Sequence, residues 1–251
     1  MNMKSLLPNA LTMGNLIGGI FVCWAAVTAT ALDESLVSWV VALVWLGAML
    51  CDGLDGMVAR WLKVDGPMGA QLDSLADLVT GGLAPAFVAY NILQQSGARE
   101  SMTMLLPLLL VMASAYRLAR YNVDALKDDN KGSNPFFTGL PVPAVGLYWM
   151  GMMMWRGEMA GGEFGRLEIM TYAVIVGIGL IGLPLMMVMK RKIVSMKDWG
   201  FDESVDRIRY GIGAGCVGVF AGTWFAWGNV YAAIPLCVLL YSAVSLVTTP
   251  K

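Results

Sequence analysis

The sequence predicts an all-α integral membrane protein with about eight transmembrane helices, and three observations carry that expectation. First, 57% of its 251 residues are hydrophobic and 14% charged, at a mean hydropathy of +0.64, where a soluble domain carries about 25% charged residues. That composition argues against a soluble enzyme. Second, the apolar residues gather into runs of about 20, the length that spans a bilayer. Third, Lys and Arg divide unevenly. With the N-terminus placed in the cytoplasm, only Arg99, Arg156 and Arg166 of the 17 basic residues fall on the far side. The positive-inside rule then puts both termini in the cytoplasm.

The spans fall at roughly 9–31, 35–55, 69–94, 102–122, 139–156, 167–189, 208–227 and 229–247. No long linker or repeat separates them, so residues 1–251 read as one polytopic domain. The first span follows Lys4 and ends near Ala29-Thr30-Ala31, the outline of a cleaved signal peptide. Pro8, Asn9, Thr12 and Asn15 interrupt the stretch that would have to be apolar, so a helix with its own work is expected instead. The second and third spans flank the turn signal Asp65-Gly66-Pro67 and should be antiparallel neighbours. The fourth ends in Arg117-Leu118-Ala119-Arg120-Tyr121-Asn122 and runs into a polar stretch, Asp124 to Asn134. The fifth opens on Gly139-Leu140-Pro141-Val142-Pro143, a rigid start for a helix. After the sixth, Lys190-Arg191-Lys192 reads as an anchor for anionic head groups and begins a second polar stretch reaching Arg209. Both polar stretches read as loops on one side. The seventh span carries Gly211, Gly215, Gly218 and Gly222, a spacing suited to close helix packing.

The remaining composition invites plain readings. Trp39, Trp149, Trp155, Trp224 and Trp227 fall near predicted helix ends and fit interfacial belts. The 19 methionines read as flexible filler, and the four cysteines, without CxxC spacing, as reduced thiols in apolar surroundings. With 17 basic against 18 acidic residues there is no charge excess to hold nucleic acid. Histidine is absent, which removes His-activated nucleophiles, His-ligated zinc and imidazole as a base. Any acid–base work falls to carboxylates.

Those carboxylates stand where lipid should forbid them. Asp52, Asp55, Asp73 and Asp77 lie on or at the ends of otherwise apolar spans, where a bare charge costs several kcal/mol. At 100° per residue, Asp52 and Asp55 are about 60° apart on one helical face, and Asp73 and Asp77 about 40° apart on another. Each pair can converge on a point. Arg60 offers one positive charge and leaves roughly −3, so a pair of divalent cations would bring the site to about +1, suited to a diphosphate. Gly56, Ala59 and Gly69 flank the acidic stripes with little or no side chain, so a ligand can approach the backbone.

The pattern D-x2-D-G-x2-A-R-x8-G-x3-D-x3-D, filled by Asp52, Asp55, Gly56, Ala59, Arg60, Gly69, Asp73 and Asp77, resembles the signature of the CDP-alcohol phosphotransferases. Leu7-Pro8-Asn9 with Thr12 and Asn15, the Arg117 to Asn122 run, and Phe137-Thr138-Gly139-Leu140-Pro141-Val142-Pro143 are similar to that family's phosphatidylserine synthase branch. The resemblance covers about the first 145 residues; the C-terminal third matches only as apolar helices. It implies the family's membrane fold, transfer of a phosphatidyl group from CDP-diacylglycerol to L-serine with release of CMP, two divalent cations (Mg²⁺ or Mn²⁺), and a homodimer in a prokaryotic inner or cell membrane. By the same resemblance Asp52, Asp55 and Asp73 are metal ligands. Asp77 takes the serine hydroxyl proton and also borders the metals. Gly56, Ala59 and Gly69 admit the CDP-lipid, Arg60 holds the acids or the phosphate, and Thr12 and Asn15 reach the nucleotide end. Arg117 and Arg120 would hold the serine carboxylate, with Asn122 and Lys131 as weaker acceptor-site candidates.

Two alternatives stay open at this point. The acceptor can be glycerol phosphate or inositol phosphate, or the donor an ether lipid, giving archaetidylserine. Phosphorylated acceptors would call for a larger basic cluster. A non-enzymatic divalent-cation transporter would place its acids near the midplane on broken helices, whereas these cluster beside a short cytoplasmic loop.

Overall fold

Among the described residues the apolar runs fold into eight helical rods, and two of the rods change pitch along their length. The computed structural model describes residues 6–28, 34–64, 66–127, 136–160, 165–196 and 203–249. Helix α1 spans Leu6–Thr28 and α2 Glu34–Leu62. The third rod joins α3 (Pro67–Leu78) through a π turn (Val79–Leu83) to α4 (Ala84–Gln95). Helix α5 runs Glu100–Lys127 and α6 Val142–Ala160. The sixth rod repeats the device: α7 (Arg166–Gly177), a π turn (Ile178–Gly182) and α8 (Leu183–Val188). Helices α9 (Glu203–Trp227) and α10 (Ala233–Thr248) complete the chain.

Proline explains both pitch changes. Pro85 and Pro184 each occupy the second position of the helix that follows a π turn. A proline there has no N–H for the carbonyl four residues back, and its ring crowds that carbonyl; a widened turn relieves both. At the first turn the orphaned carbonyl is Gly81 O, and Ser114 of α5 donates its hydroxyl to it at 3.3 Å.

Among the described residues five rods are long and apolar enough to cross a membrane: Leu6–Thr28, Leu36–Leu62, Pro67–Gln95, Glu100–Asp124 and Arg166–Val188. Helix α10 is apolar but shorter, at 16 residues. The outward faces suit lipid. On α2, Leu36, Leu43, Leu50 and Met57, at seven-residue steps, all stay exposed. The protein is an integral membrane protein on these grounds.

Helix α6 sits at the centre, packed against α2, α4 and α10. Trp149 and Trp155 on it are fully buried, so these two are core residues and not members of an interfacial belt. Trp39 and Trp224 do stay exposed. Trp155 stacks on Trp227 at 5.6 Å and meets Tyr172 edge-on at 5.2 Å. The glycine run of α9 also differs from its expected use. Only Gly215 meets a neighbouring helix, at Leu240 of α10, while Gly211, Gly218 and Gly222 face open space.

One end of the bundle carries a ribbon absent from the sequence expectation. Strands β1 (Phe136–Thr138) and β2 (Lys192–Val194) pair antiparallel, Phe137 opposite Ile193. Tyr241 of α10 donates its hydroxyl to Val194 O at 2.7 Å, and Thr249 to Lys192 O at 2.6 Å, which ties the last helix to the ribbon.

Candidate active site

The acidic pairs lie three and four residues apart, so α2 turns Asp52 and Asp55 one way and α3 turns Asp73 and Asp77 one way. Lys63, at φ 54, ends α2 in the left-handed region, and Pro67 starts α3. The reversal brings the two pairs together. Oxygens of Asp52, Asp55 and Asp73 all lie within 4.8 Å of one another. The Asp52 and Asp77 side chains meet across the seam. Oxygen donors at this spacing fit a hard divalent cation and not a thiolate-seeking metal.

Helix α1 packs against α2, α3 and α4 and supplies the donors that the carboxylates need. Thr12 donates its hydroxyl to Asp55 Oδ2 at 2.5 Å. The Asn15 carboxamide nitrogen lies 3.4 Å from both Asp52 Oδ1 and Asp77 Oδ1. Both side chains are buried, so they buttress the acids directly. Around the missing side chain of Gly69 there is open space, and at Gly56 only the Arg60 guanidinium comes near, 3.4 Å from where a Cβ would stand. Ala59 is half-buried and Arg60 exposed on the same turns.

The two arginines of α5 part company. Arg120 donates to three backbone carbonyls, Val188 O at 2.8 Å, Thr138 O at 3.0 Å and Met187 O at 3.1 Å. It clasps the end of α8 to the ribbon. Gly139, at φ 77, lies directly beneath: a Cβ there would come within 2.9 Å of Arg120 Nη2 and 2.5 Å of Met187 O. Arg117 is 8% exposed, and its Nε has no hydrogen-bond partner. Its charge neighbours include Asp77, Arg120 and Tyr241. A buried cation whose donor is unmet is costly unless an anion completes it.

The pattern of the CDP-alcohol phosphatidyltransferases matches residues 5–239. The chain belongs to that family. The chain is 35% identical over 172 residues to a Mycobacterium bovis protein named CDP-diacylglycerol–serine O-phosphatidyltransferase, covering 66% of this chain and 55% of that one. A Saccharomyces cerevisiae protein of the same name is 39% identical over 107 residues, 41% of this chain and 37% of its own. One from Bacillus subtilis is 29% identical over 194 residues, 76% of this chain and 91% of its own. The chain thus spans about half the length of the mycobacterial relative it matches.

Asn122 joins the site sideways, its amide donating to the Ser74 hydroxyl of α3 at 2.9 Å. Lys131 and residues 128–135 lie outside the described residues. Three participants escaped the sequence reading. Thr80, inside the π turn, donates to Asn15 Oδ1 at 2.7 Å. Trp45 of α2 donates to Thr80 O at 3.1 Å. Tyr241, beyond the family match, faces Arg117. The one hint to the first was Gly81-Gly82 ahead of Pro85 in an apolar run.

Proposed function

We propose that the protein is a phosphatidylserine synthase, transferring the phosphatidyl group of CDP-diacylglycerol to L-serine with release of CMP. The observation that carries the reading is the convergence of four carboxylates beside a buried arginine whose Nε has no hydrogen-bond partner. Asp52, Asp55 and Asp73 would hold two divalent ions, Mg²⁺ or Mn²⁺, with Asp77 at their border. Bound there, the ions supply positive charge to the diphosphate oxygens and ease departure of the CMP phosphate.

The chain's own groups supply the rest. Gly69 and Gly56 leave room for the diphosphate against the helix backbones, with Arg60 above them. Asp77 accepts the proton of the serine hydroxyl as its oxygen bonds to the lipid-side phosphorus and the bond from that phosphorus to the CMP oxygen breaks. Thr12 and Asn15 hold the acids in register, a role nearer the carboxylates than the nucleotide contact first expected. Arg117 offers its free donor to the serine carboxylate. Arg120 acts one step back by fixing the end of α8, and Asn122 braces α3.

The same reading places the site and both termini at the cytoplasmic face, with eight crossings, since 14 of the 17 basic residues then lie inside. The homodimer rests on family resemblance. Membranes containing the protein, given CDP-diacylglycerol and labelled serine with Mn²⁺ or Mg²⁺, should yield phosphatidylserine and CMP. Consumption of glycerol phosphate or inositol phosphate in place of serine would reassign the acceptor. Labelling of single cysteines placed at each end reads the orientation, and crosslinking in the membrane reads the dimer.

A further inference from the structure

We propose that Thr80, held in the π turn between α3 and α4, is a positioning residue whose hydroxyl sets the Asn15 carboxamide so that its N–H group faces Asp52 and Asp77. The inference rests on the reading of these aspartates as the metal and base cluster and adds a residue that the reading does not use.

A carboxamide has a donor end and an acceptor end, and two acidic side chains near one end demand the donor there. Asn15, fully buried, meets that demand with its nitrogen 3.4 Å from an oxygen of each aspartate. Rotated by half a turn it would aim an oxygen at both. Thr80 opposes the rotation. Its hydroxyl has a single proton and three acceptors in reach, Asn15 Oδ1 at 2.7 Å, Ala76 O at 3.1 Å and Asn15 O at 3.2 Å. The shortest contact claims it, and that donation is lost when the carboxamide turns its nitrogen toward Thr80.

Thr80 is itself gripped from several sides. Trp45 of α2 donates to its carbonyl. Gly19 lets α1 lie against it, since a Cβ at that position would come within 2.7 Å of Thr80 Oγ1 and 3.1 Å of its Cα. Gly81 and Gly82 seat the same turn against Val142 of α6 and Ser114 of α5, where added Cβ atoms would come within 2.0 Å and 2.9 Å. The turn that breaks the α3–α4 pitch therefore also carries the one hydroxyl that reads the Asn15 orientation. Without it, the donor between Asp52 and Asp77 is free to swing away and the two like charges separate.

The test uses the purified full chain in detergent, with Mn²⁺ as probe. Calorimetric titration of Mn²⁺ without substrate should show Thr80→Val binding about tenfold more weakly, as removal of outer-shell support does in metal sites. Thr80→Ser, which keeps the hydroxyl, should bind within about twofold of the parent. CMP release should need about tenfold more Mn²⁺ in Thr80→Val at an unchanged KM for serine. Should Thr80→Val fail to purify as a folded protein, Trp45→Phe removes the indole donor to the Thr80 carbonyl, along with some buried volume, and should weaken Mn²⁺ binding about threefold. Wild-type Mn²⁺ affinity in whichever of these is folded overturns the proposal. Mn²⁺ binding by the parent without serine-dependent CMP release would instead sink the serine reading and leave this inference standing.

Discussion

The two π turns are built alike and put to different uses. Each lies ahead of a proline, Pro85 or Pro184, and each packs a glycine closely against another helix. The second turn meets aromatic side chains. A Cβ at Gly179 would come within 2.6 Å of Tyr148 and 2.9 Å of Trp149, and the Tyr148 hydroxyl donates to Ile175 O at 2.6 Å just upstream. The first turn meets Asn15, Trp45 and Ser114, and through Asn15 it reaches two carboxylates. A widened turn is thus a backbone consequence of proline. Whether it serves chemistry depends on the side chain it carries and the groups opposite: a threonine facing a buried amide, or a glycine facing rings.

The largest effect should come from the acid that the first turn follows. Asp77→Asn should lower serine-dependent CMP release by about 10³-fold, within the range for loss of a general base, while Mn²⁺ still binds. Turnover near the parental rate would take Asp77 out of the base role and remove the chemical half of the comparison. Next in size is a matched steric insult at the two turns. Gly19→Ala pushes a methyl into Thr80 and should cut Mn²⁺ affinity and turnover about tenfold. Gly179→Ala pushes one into Tyr148 and Trp149 and should cost about 1–3 kcal/mol of stability by overpacking, read as a lower melting temperature in detergent, with the Mn²⁺ titration unmoved. Equal losses of metal affinity in both would mean that the second turn also supports the site.

The first turn's importance was poorly legible in the sequence, although the acids beside it were plain. Asp52, Asp55, Asp73 and Asp77 stood out because a carboxylate in an apolar span needs a reason, and helical spacing says which ones share a face. The eight apolar runs were legible for the same cause, since length and apolarity are local properties. Burial was not. Up to Trp155 helix α6 is apolar all round, so nothing in the pattern separates Trp149 and Trp155 from an interfacial belt. The ribbon escaped because three-residue strands carry no readable period. Arg117 and Arg120 sit one turn apart on one helix, and only the position of α8 and the ribbon shows that Arg120 is engaged by carbonyls.

Smaller effects sharpen the contrast further. Pro85→Ala restores an N–H that can bond Gly81 O in competition with Ser114, which lets the first turn relax toward α pitch. Turnover should fall about threefold, whereas Pro184→Ala should leave turnover at the parental level. Equal turnover in the two variants would show that pitch at the first turn is immaterial so long as Thr80 is present.

The smallest expected change is Tyr148→Phe. It deletes the buried donor to Ile175 O and keeps the ring that fills the space beside Gly179. A buried carbonyl that loses one partner costs about 1 kcal/mol, a shift of a few degrees in melting temperature for a chain of this size. Mn²⁺ affinity and CMP release should not move, because among the described residues no polar contact leads from Tyr148 to the carboxylates. A change in metal affinity would instead require that α6 transmit strain from the second turn to the first. Val142 is the residue through which it would pass, since α6 begins there and packs against Gly81.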